Sequence, residues 1–228
     1  MKLRVILPGL LALVLLFTAC APPPELRDPN LLADTGIVSG EPCDAPCWRG
    51  ITPGETSWSD ALTIIEDDTT LENLQTQEDE NSNAARADWN QQGGAACCEM
   101  YTFEGELVDV LFLRLAPTQT LGDVIERHGE PAYVKGSPYS DTQAVMNIVY
   151  PDKNFVVYVF VAGPEASVSA SSEIVGVLYM KPDDMRVLVE TTEMHAWEGY
   201  AAYAEYSEDN PSFEVTPVYT LTPAADGG

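Results

Sequence analysis

The chain has 228 residues and a formal net charge of −25 at pH 7, because 36 acidic side chains outnumber 11 Lys and Arg. A chain this acidic repels nucleic-acid phosphates and offers no basic patch to neutralise them, which excludes a nucleic-acid partner. It is also repelled by anionic lipid headgroups, so contact with a membrane would have to come from an attached lipid.

The first residues carry the pattern of an export signal. Lys2 and Arg4 precede an apolar run, and Ala19 and Cys20 follow it. A basic start, an apolar centre and small residues before a cleavage site are typical of a secretory signal peptide. We therefore predict that residues 1–19 are removed on export.

The segment Phe17-Thr18-Ala19-Cys20 resembles the lipobox of bacterial lipoproteins, with phenylalanine where leucine is more usual. The resemblance implies cleavage before Cys20, palmitate-type acyl chains on its sulfur and new amino group, and an extracytoplasmic lipoprotein anchored to the cell membrane. Two alternatives are a retained membrane helix and an ordinary signal peptide cut elsewhere. The apolar run is shorter than the ~20 residues of a bilayer span, and Pro8-Gly9 interrupts it, which favours the lipoprotein.

Residues 20–42 are predicted to be a lipidated, flexible linker in the cell envelope. The prolines from Pro22 to Pro24 give it a stiff, extended start. The polar, Gly and Pro residues that follow show no period, which is typical of a disordered segment. The folded part is expected to begin near Cys43.

Four cysteines remain once Cys20 is assigned to the lipid: Cys43, Cys47, Cys97 and Cys98. An even number in an exported chain predicts disulfides. Because adjacent residues on a strand point to opposite faces, we expect Cys97 and Cys98 to have different partners and favour cross-links to the turn 43–47. Closure of the loop 43–47 on itself remains open. A zinc site is the alternative, but the C-x3-C spacing is loose and an oxidising compartment disfavours thiolates, so we predict no metal and no cofactor.

The first predicted unit covers residues 43–116. Ser57 is an N-cap candidate, with Asp60 three residues later in the first turn. Apolar residues then recur at helical spacing: Trp58, Ala61, Leu62 and Ile65. Segments 97–103 and 106–115 have the pattern of a β-hairpin. The second segment is apolar on nearly every residue, so we expect a central strand that is covered on both faces.

The second predicted unit covers residues 117–210. Thr120 is a second N-cap candidate with Asp123 three residues later, and Gly129-Glu130-Pro131 ends the helix. Strands are predicted at 144–150, 155–162 and 173–180. The segment 185–190 has the pattern of a strand or a short helix.

A C-terminal helix is predicted from Glu193 to about Ser207, with one aromatic face: Trp197, Tyr200 and Tyr203. Such a face usually packs against a sheet. A sugar-binding platform is the alternative, because aromatic rings offer flat apolar surfaces with polar edges. Residues 211–228 are predicted to be a loose tail.

The fold class predicted from these elements is α+β, with two helix-plus-antiparallel-hairpin units and a C-terminal helix. The repeated order of elements suggests a tandem repeat. The run from Thr120 to Pro131 resembles β-lactamase-inhibitor-protein-like repeats and small outer-membrane-assembly lipoproteins, whose helix also ends in Gly-x-Pro. Gly129 and Pro131 match that ending, whereas the first unit keeps an initial Pro53-Gly54 and lacks the ending. The resemblance implies a binding or assembly module without catalysis.

No nucleophile elbow, zinc-protease helix or phosphate loop occurs in the sequence. Of two histidines, His128 stands at a helix end, where the dipole favours an imidazole, and His195 is expected to be partly buried. We therefore predict a lipid-anchored extracytoplasmic binding or envelope-assembly protein that is not an enzyme, with a protein or cell-wall component as its partner. The alternatives are an envelope hydrolase that uses paired acids and a carbohydrate- or solute-binding lipoprotein.

Overall fold

A computed structural model describes residues 25–163 and 165–207 of the chain. The predicted signal peptide over 1–19, the lipidation site at Cys20 and the predicted tail over 211–228 lie outside these ranges. Within the described ranges, no helix is both long enough and apolar enough to cross a bilayer.

The described residues form one antiparallel sheet of nine strands with four α-helices packed around it. The helices are α1 (Gly36–Ser39), α2 (Trp58–Asp67), α3 (Leu121–His128) and α4 (Pro182–Thr191). The strands are β1 (Leu71–Glu78), β2 (Ala85–Gln91), β3 (Ala96–Thr102), β4 (Val110–Arg114), β5 (Tyr133–Ser140), β6 (Gln143–Tyr150), β7 (Phe155–Val161), β8 (Ile174–Met180) and β9 (His195–Ala196). Their order across the sheet is β1-β2-β3-β4-β8-β7-β6-β5-β9.

The predicted α+β fold of two helix-plus-hairpin units is wrong, because the chain is mostly β, with only about 21% helix, in one continuous sheet. The strands β4 and β8 pair in the middle of it and place Leu111 beside Tyr179 and Leu113 beside Val177 in one shared core. A local pattern indicates that a strand exists but not which strand pairs with its outer edge. The predicted boundary between residues 116 and 117 therefore lies inside a single fold.

The two helix starts predicted from the sequence are confirmed. The Ser57 hydroxyl accepts a hydrogen bond from the Asp60 N–H at the start of α2. At α3, the Thr120 hydroxyl accepts from the Asp123 N–H, and the Asp123 carboxylate accepts from the Thr120 N–H, which completes a capping box. Both helices thus begin where local side chains satisfy their first N–H groups.

The main hydrophobic core lies between helices α1 to α3 and one face of the sheet, which we call the inner face. The helices contribute buried residues at helical spacing: Ile37, Ala61, Ile65, Leu121 and Val124. The strands contribute every second residue: Leu111, Leu113, Met146, Ile148, Val157, Val159 and Val177. A second, smaller cluster lies on the opposite face, where α4 packs on the sheet through Met185 and Val189. The segment 185–190 is therefore helical.

Residues 25–42 pack against the body from their first described residues onward, so the predicted flexible linker is wrong over this range. Leu31, Leu32 and Ile37 are buried in the main core. The Leu32 N–H donates to the Arg114 carbonyl, and the Leu32 carbonyl accepts from the Ala116 N–H. These apolar residues show no period because they fill one end of the core rather than one face of an element.

The predicted C-terminal helix over 193–207 is also wrong. This segment contains the short strand β9, which pairs with β5, and a 3-10 turn at Tyr203–Glu205. The Trp197 N–H donates to the Ala132 carbonyl instead of to a helical partner. Gly199 has φ of +107°, a conformation that a helix does not contain. His195, expected in this helix, is a buried residue of β9.

Candidate functional site

The four predicted disulfide cysteines form two local pairs, Cys43–Cys47 and Cys97–Cys98. Their Cα atoms are 5.7 Å and 3.7 Å apart respectively. The predicted cross-links between the turn 43–47 and β3 are therefore wrong, and closure of the loop 43–47 on itself is the pairing observed. The four sulfur atoms are bonded in pairs, so they are not arranged as zinc thiolates.

A β-bulge explains why neighbouring cysteines on a strand meet. Cys98 pairs with Trp89 and Ala96 pairs with Asn90, so Cys97 is an extra residue of β3 without a partner on β2. A bulge interrupts the alternation of side chains on which the sequence prediction relied. Cys97 and Cys98 are both buried in the main core, so the pair is not a surface site.

The predicted aromatic face is not assembled as a platform. The ring of Tyr203 is buried, so it is not accessible for stacking on a ligand. Trp197 lies parallel to Tyr206 with ring centroids 6.1 Å apart, and its indole N–H donates to the Glu130 carboxylate. Tyr200 is 48% exposed and meets Trp197 edge-on. Of the three predicted rings, only Tyr200 is thus well exposed to solvent.

A largely buried ion pair joins Asp109, the residue before β4, to Lys181, the N-cap residue of α4. Asp109 is 4% exposed, and its carboxylate accepts hydrogen bonds from the Phe103 N–H and the Lys181 ammonium. The hydrogen bond to Asp109 raises the pKa of Lys181. Asp184 lies 3.8 Å from the same ammonium, and its Oδ2 is buried without a hydrogen-bond partner. Burial raises the pKa of Asp184, and the charge of Lys181 offsets this only in part.

The groove beside this ion pair has a volume of about 310 Å³ and an acidic lining that includes Glu104 and Glu106. A glycosidase needs two carboxyl groups at a set separation across a substrate. Asp109 is engaged by Lys181, and Asp184 does not line the groove. Among the described residues, no three His, Cys, Asp or Glu side chains converge as metal ligands. The contact between Asp109 and Lys181 is explained by its structural role, which is to hold the start of α4 against the residue before β4.

The outward side of the sheet is only partly covered and carries half-exposed apolar side chains, although the most exposed large apolar residues of the described ranges (Phe103, Leu107, Tyr139, Val187 and Tyr200) are not among them. Helix α4 covers one end of this side, over β5 to β8, and the uncovered remainder is here called the open face. Pairing registers place twelve half-exposed residues on it: Arg86, Asp88, Glu99, Tyr101, Val110, Phe112, Arg114, Lys135, Val145, Asn147, Tyr158 and Phe160. These side chains come from six strands, β2 to β7, and with β8 between β4 and β7 the seven neighbouring strands form one surface.

Aromatic rings lie at the centre of the open face. Phe112 of β4 and Tyr158 of β7 meet edge-on with centroids 5.5 Å apart. Gly176 of β8 lies between their two strands, and its missing side chain leaves room for the rings to approach. Phe160 continues the surface and carries the Arg27 guanidinium 4.5 Å above its ring. The centre is therefore apolar and has a fixed geometry.

The charge on the open face differs from that of the whole chain. The strands place three cations on it, Arg86, Arg114 and Lys135, and two acids, Asp88 and Glu99. Arg86 pairs with both of these acids. The face thus has a slight positive balance on a protein whose net charge is −25.

Two polar side chains lie close to the aromatic rings, and their hydrogen bonds determine what each can offer to a partner. Burial, together with the hydrogen bond to Glu99, raises the pKa of Tyr101 to about 12, so the phenol stays neutral. Arg114 donates to the Ala96 carbonyl, and within the described part of the chain no carboxylate lies within ion-pair distance of it. Arg114 is therefore available to an acidic group on a partner.

One feature of the sequence, the apolar pattern over 106–115, is related to this surface. The strand pattern over 106–115 predicted a central strand covered on both faces. β4 is central, but its Val110 and Phe112 side is only half-covered. The outward side of β4 therefore remains partly accessible to solvent.

Comparison with known proteins found no matching protein family, no similar curated protein and no similar solved structure.

Proposed function

We propose that this protein is exported, is anchored to the cell membrane by a lipid on Cys20, and binds another protein at the open face without catalysing a reaction. The lipobox-like run before Cys20 supports the anchor. The half-exposed rings of Phe112, Tyr158 and Phe160 on an open sheet face support the binding role. Aromatic residues and arginine are the residues enriched in protein–protein interfaces.

The size and charge of the open face favour a protein partner. Seven strands at a spacing of about 4.8 Å span about 29 Å, and roughly five residues along each give a flat area of about 500 Å². This area is at the small end for one side of a protein–protein interface, so we expect a transient complex. The open face carries nearly equal numbers of cations and acids. It therefore does not repel an acidic partner as the rest of this acidic protein would.

The binding role can be tested by photocrosslinking in cells that produce the full chain. A photoreactive phenylalanine analogue at position 112 should give a discrete protein adduct. The same analogue at Val187 is the matched control, because Val187 is 48% exposed but lies on α4. Equal adducts from both positions, or none from position 112, would contradict binding at the open face.

The anchor can be tested separately with Cys20→Ala. This variant should lose labelling by a palmitate analogue and should no longer float with membranes. Its melting temperature should equal that of the wild-type protein, because the first core residue, Leu31, lies beyond Cys20. A variant that still floats with membranes would show that the lipid assignment is wrong.

A further inference from the structure

The two edges of the sheet differ in how far they are covered. At the β5 edge, the short strand β9 pairs with Tyr133 and Val134, and the Gly136 N–H donates to the Tyr206 carbonyl. Pro138, further along the same strand, has no N–H to offer. A short extra strand and an edge proline are means by which proteins close a sheet edge to other chains. The β5 edge is therefore largely closed.

At the other edge of the sheet, β1 pairs with β2 on one side, and within the described ranges no strand lies along its outer side. Six of the eight residues of β1 are exposed, and the strand contains no proline, lysine or arginine. A bulge between Glu72 and Gln75 interrupts its first half. The regular part of the strand, residues 75–78, is called the free edge here, and it is open to pairing with another strand.

The register of β1 on β2 shows which backbone groups of the free edge face outward. The Asp79 N–H donates to the Ala84 carbonyl, so these residues form a hydrogen-bonded pair. Such pairs recur at every second residue of an antiparallel ladder, which makes Gln77 the next residue that bonds to β2. The N–H and C=O groups of Thr76 and Glu78 therefore point away from β2, and both residues are exposed.

The charge beside these groups determines which strand fits. Glu78, Asp79 and Glu80 line a cleft of about 460 Å³ at the β1–β2 turn. Arg86 also lines the cleft, but it is paired with two acids of the open face. A cation directly opposite Glu78 would be stabilised as a cross-strand pair. A second copy of this chain, with its net charge of −25, would bring further acids to the edge and be repelled.

From the free edge and its charge we infer that β1 receives an extended, cationic segment of a partner protein, which adds a tenth strand to the sheet. The segment runs antiparallel to β1, as all neighbouring strands of this sheet do. Main-chain hydrogen bonds to Thr76 and Glu78 hold it, and a lysine or arginine opposite Glu78 selects it. The edge adjoins the open face, but the inference depends neither on that face nor on the lipid.

The backbone pairing can be tested with a labelled synthetic peptide of alternating threonine and lysine, titrated against the full chain by fluorescence anisotropy. Two N-methylated forms of equal charge separate strand pairing from general attraction to an acidic protein. Methylation of the lysine N–H groups should weaken binding at least about tenfold, because a lysine opposite Glu78 directs its N–H to β1. Methylation of the threonine N–H groups should have little effect. Equal affinities of the two methylated forms overturn the inference.

Variants of the free edge give a second readout with the unmethylated peptide. Thr76→Pro removes an outward N–H without removing a bond to β2, and should weaken binding about fivefold. Thr76→Ala keeps that N–H and should bind as the wild-type protein does. Equal affinities of these two variants overturn the pairing.

The choice of a cation can be tested in variants that keep the backbone unchanged. Glu78→Gln should weaken binding of the peptide about two- to fivefold. Glu126→Gln is the matched control, because it removes the same charge from an exposed residue of α3. An equal loss of affinity in both variants overturns the role of Glu78.

Hydrogen exchange reports whether the edge is free in the protein itself. The amides of Thr76 and Glu78 should exchange fast in the full chain and at least about tenfold more slowly with saturating peptide. Slow exchange without peptide would show that the chain covers its own edge, which overturns the inference. A dimer in sedimentation that Thr76→Pro dissociates would assign the edge to a second copy and overturn it as well.

Discussion

His128 shows how burial decides the state of a single residue. The helix dipole at the end of α3 favours a charged imidazole, yet burial lowers the pKa of His128. Its Nε2–H donates to the Ile37 carbonyl at 2.6 Å, and the ring packs edge-on against Phe155. The neutral form is the one that this environment stabilises, so burial outweighs the dipole.

Asp184 gives a prediction at the same scale. Its pKa in the folded state is raised, so the folded protein holds this proton to higher pH than the unfolded chain. Stability is therefore lost as pH rises through the folded pKa, and the ionised carboxylate is unfavourable at pH 7. Asp184→Asn should raise the melting temperature at pH 7 by about 2–4 °C, the shift expected for about 1 kcal/mol. Below the unfolded value of 3.8 the difference should disappear.

Asp183→Asn is the matched control, because Asp183 is the neighbouring residue but its side chain is 82% exposed. It should change the melting temperature little at either pH, as expected for an exposed site. A gain of equal size in both variants would indicate a general effect of lowering the acidic charge. Such a result would remove the role assigned to burial at Asp184.

At the scale of elements, the bulge in β3 determines the cysteine pairing. Non-reducing digestion and mass spectrometry should recover Cys97 and Cys98 bonded within one peptide, and Cys43 and Cys47 within another. A peptide that links residues 43–47 to residues 97–98 would contradict the observed pairing. Four free thiols would contradict oxidation of the pairs altogether.

Local chemistry explains which elements could be predicted from the sequence. Ser57 and Thr120 each satisfy N–H groups three residues away, so their caps depend on neighbours in sequence. The bulge at Cys97 depends on how β2 aligns with β3, which no local pattern contains. The predicted helix over 193–207 failed for a related reason, because the aromatic spacing was helical but β5 supplied hydrogen-bond partners for a strand.

At the scale of the whole molecule, the sheet joins parts of the chain that the sequence analysis separated. The open face could not be predicted, because its rings Phe112, Tyr158 and Phe160 come together only when β4, β8 and β7 are neighbours. The segment 25–42 could not be assigned either. Its Leu31 and Leu32 fill a space that exists only once β4 and β8 have paired.

Leu32→Ala tests whether the segment before Cys43 belongs to the fold. Leu32 is fully buried, so its truncation should lower the free energy of unfolding by about 2–5 kcal/mol, measured by urea denaturation. Leu107→Ala is the matched control, because Leu107 is 39% exposed and should change stability by about 0.5 kcal/mol or less. Equal effects of the two variants would mean that residues 25–42 are not part of the core.

The central β4–β8 pair also has a consequence for how this protein folds. Strand β4 ends at Arg114, and its partner β8 begins at Ile174. One edge of β4 therefore has no native neighbour until the chain has been made through β8. Such distant pairing raises contact order and slows folding. While the edge is unpaired, the apolar strand can join other chains. The pairing that unites the finished sheet is thus the step at which the unfinished chain is most prone to aggregate.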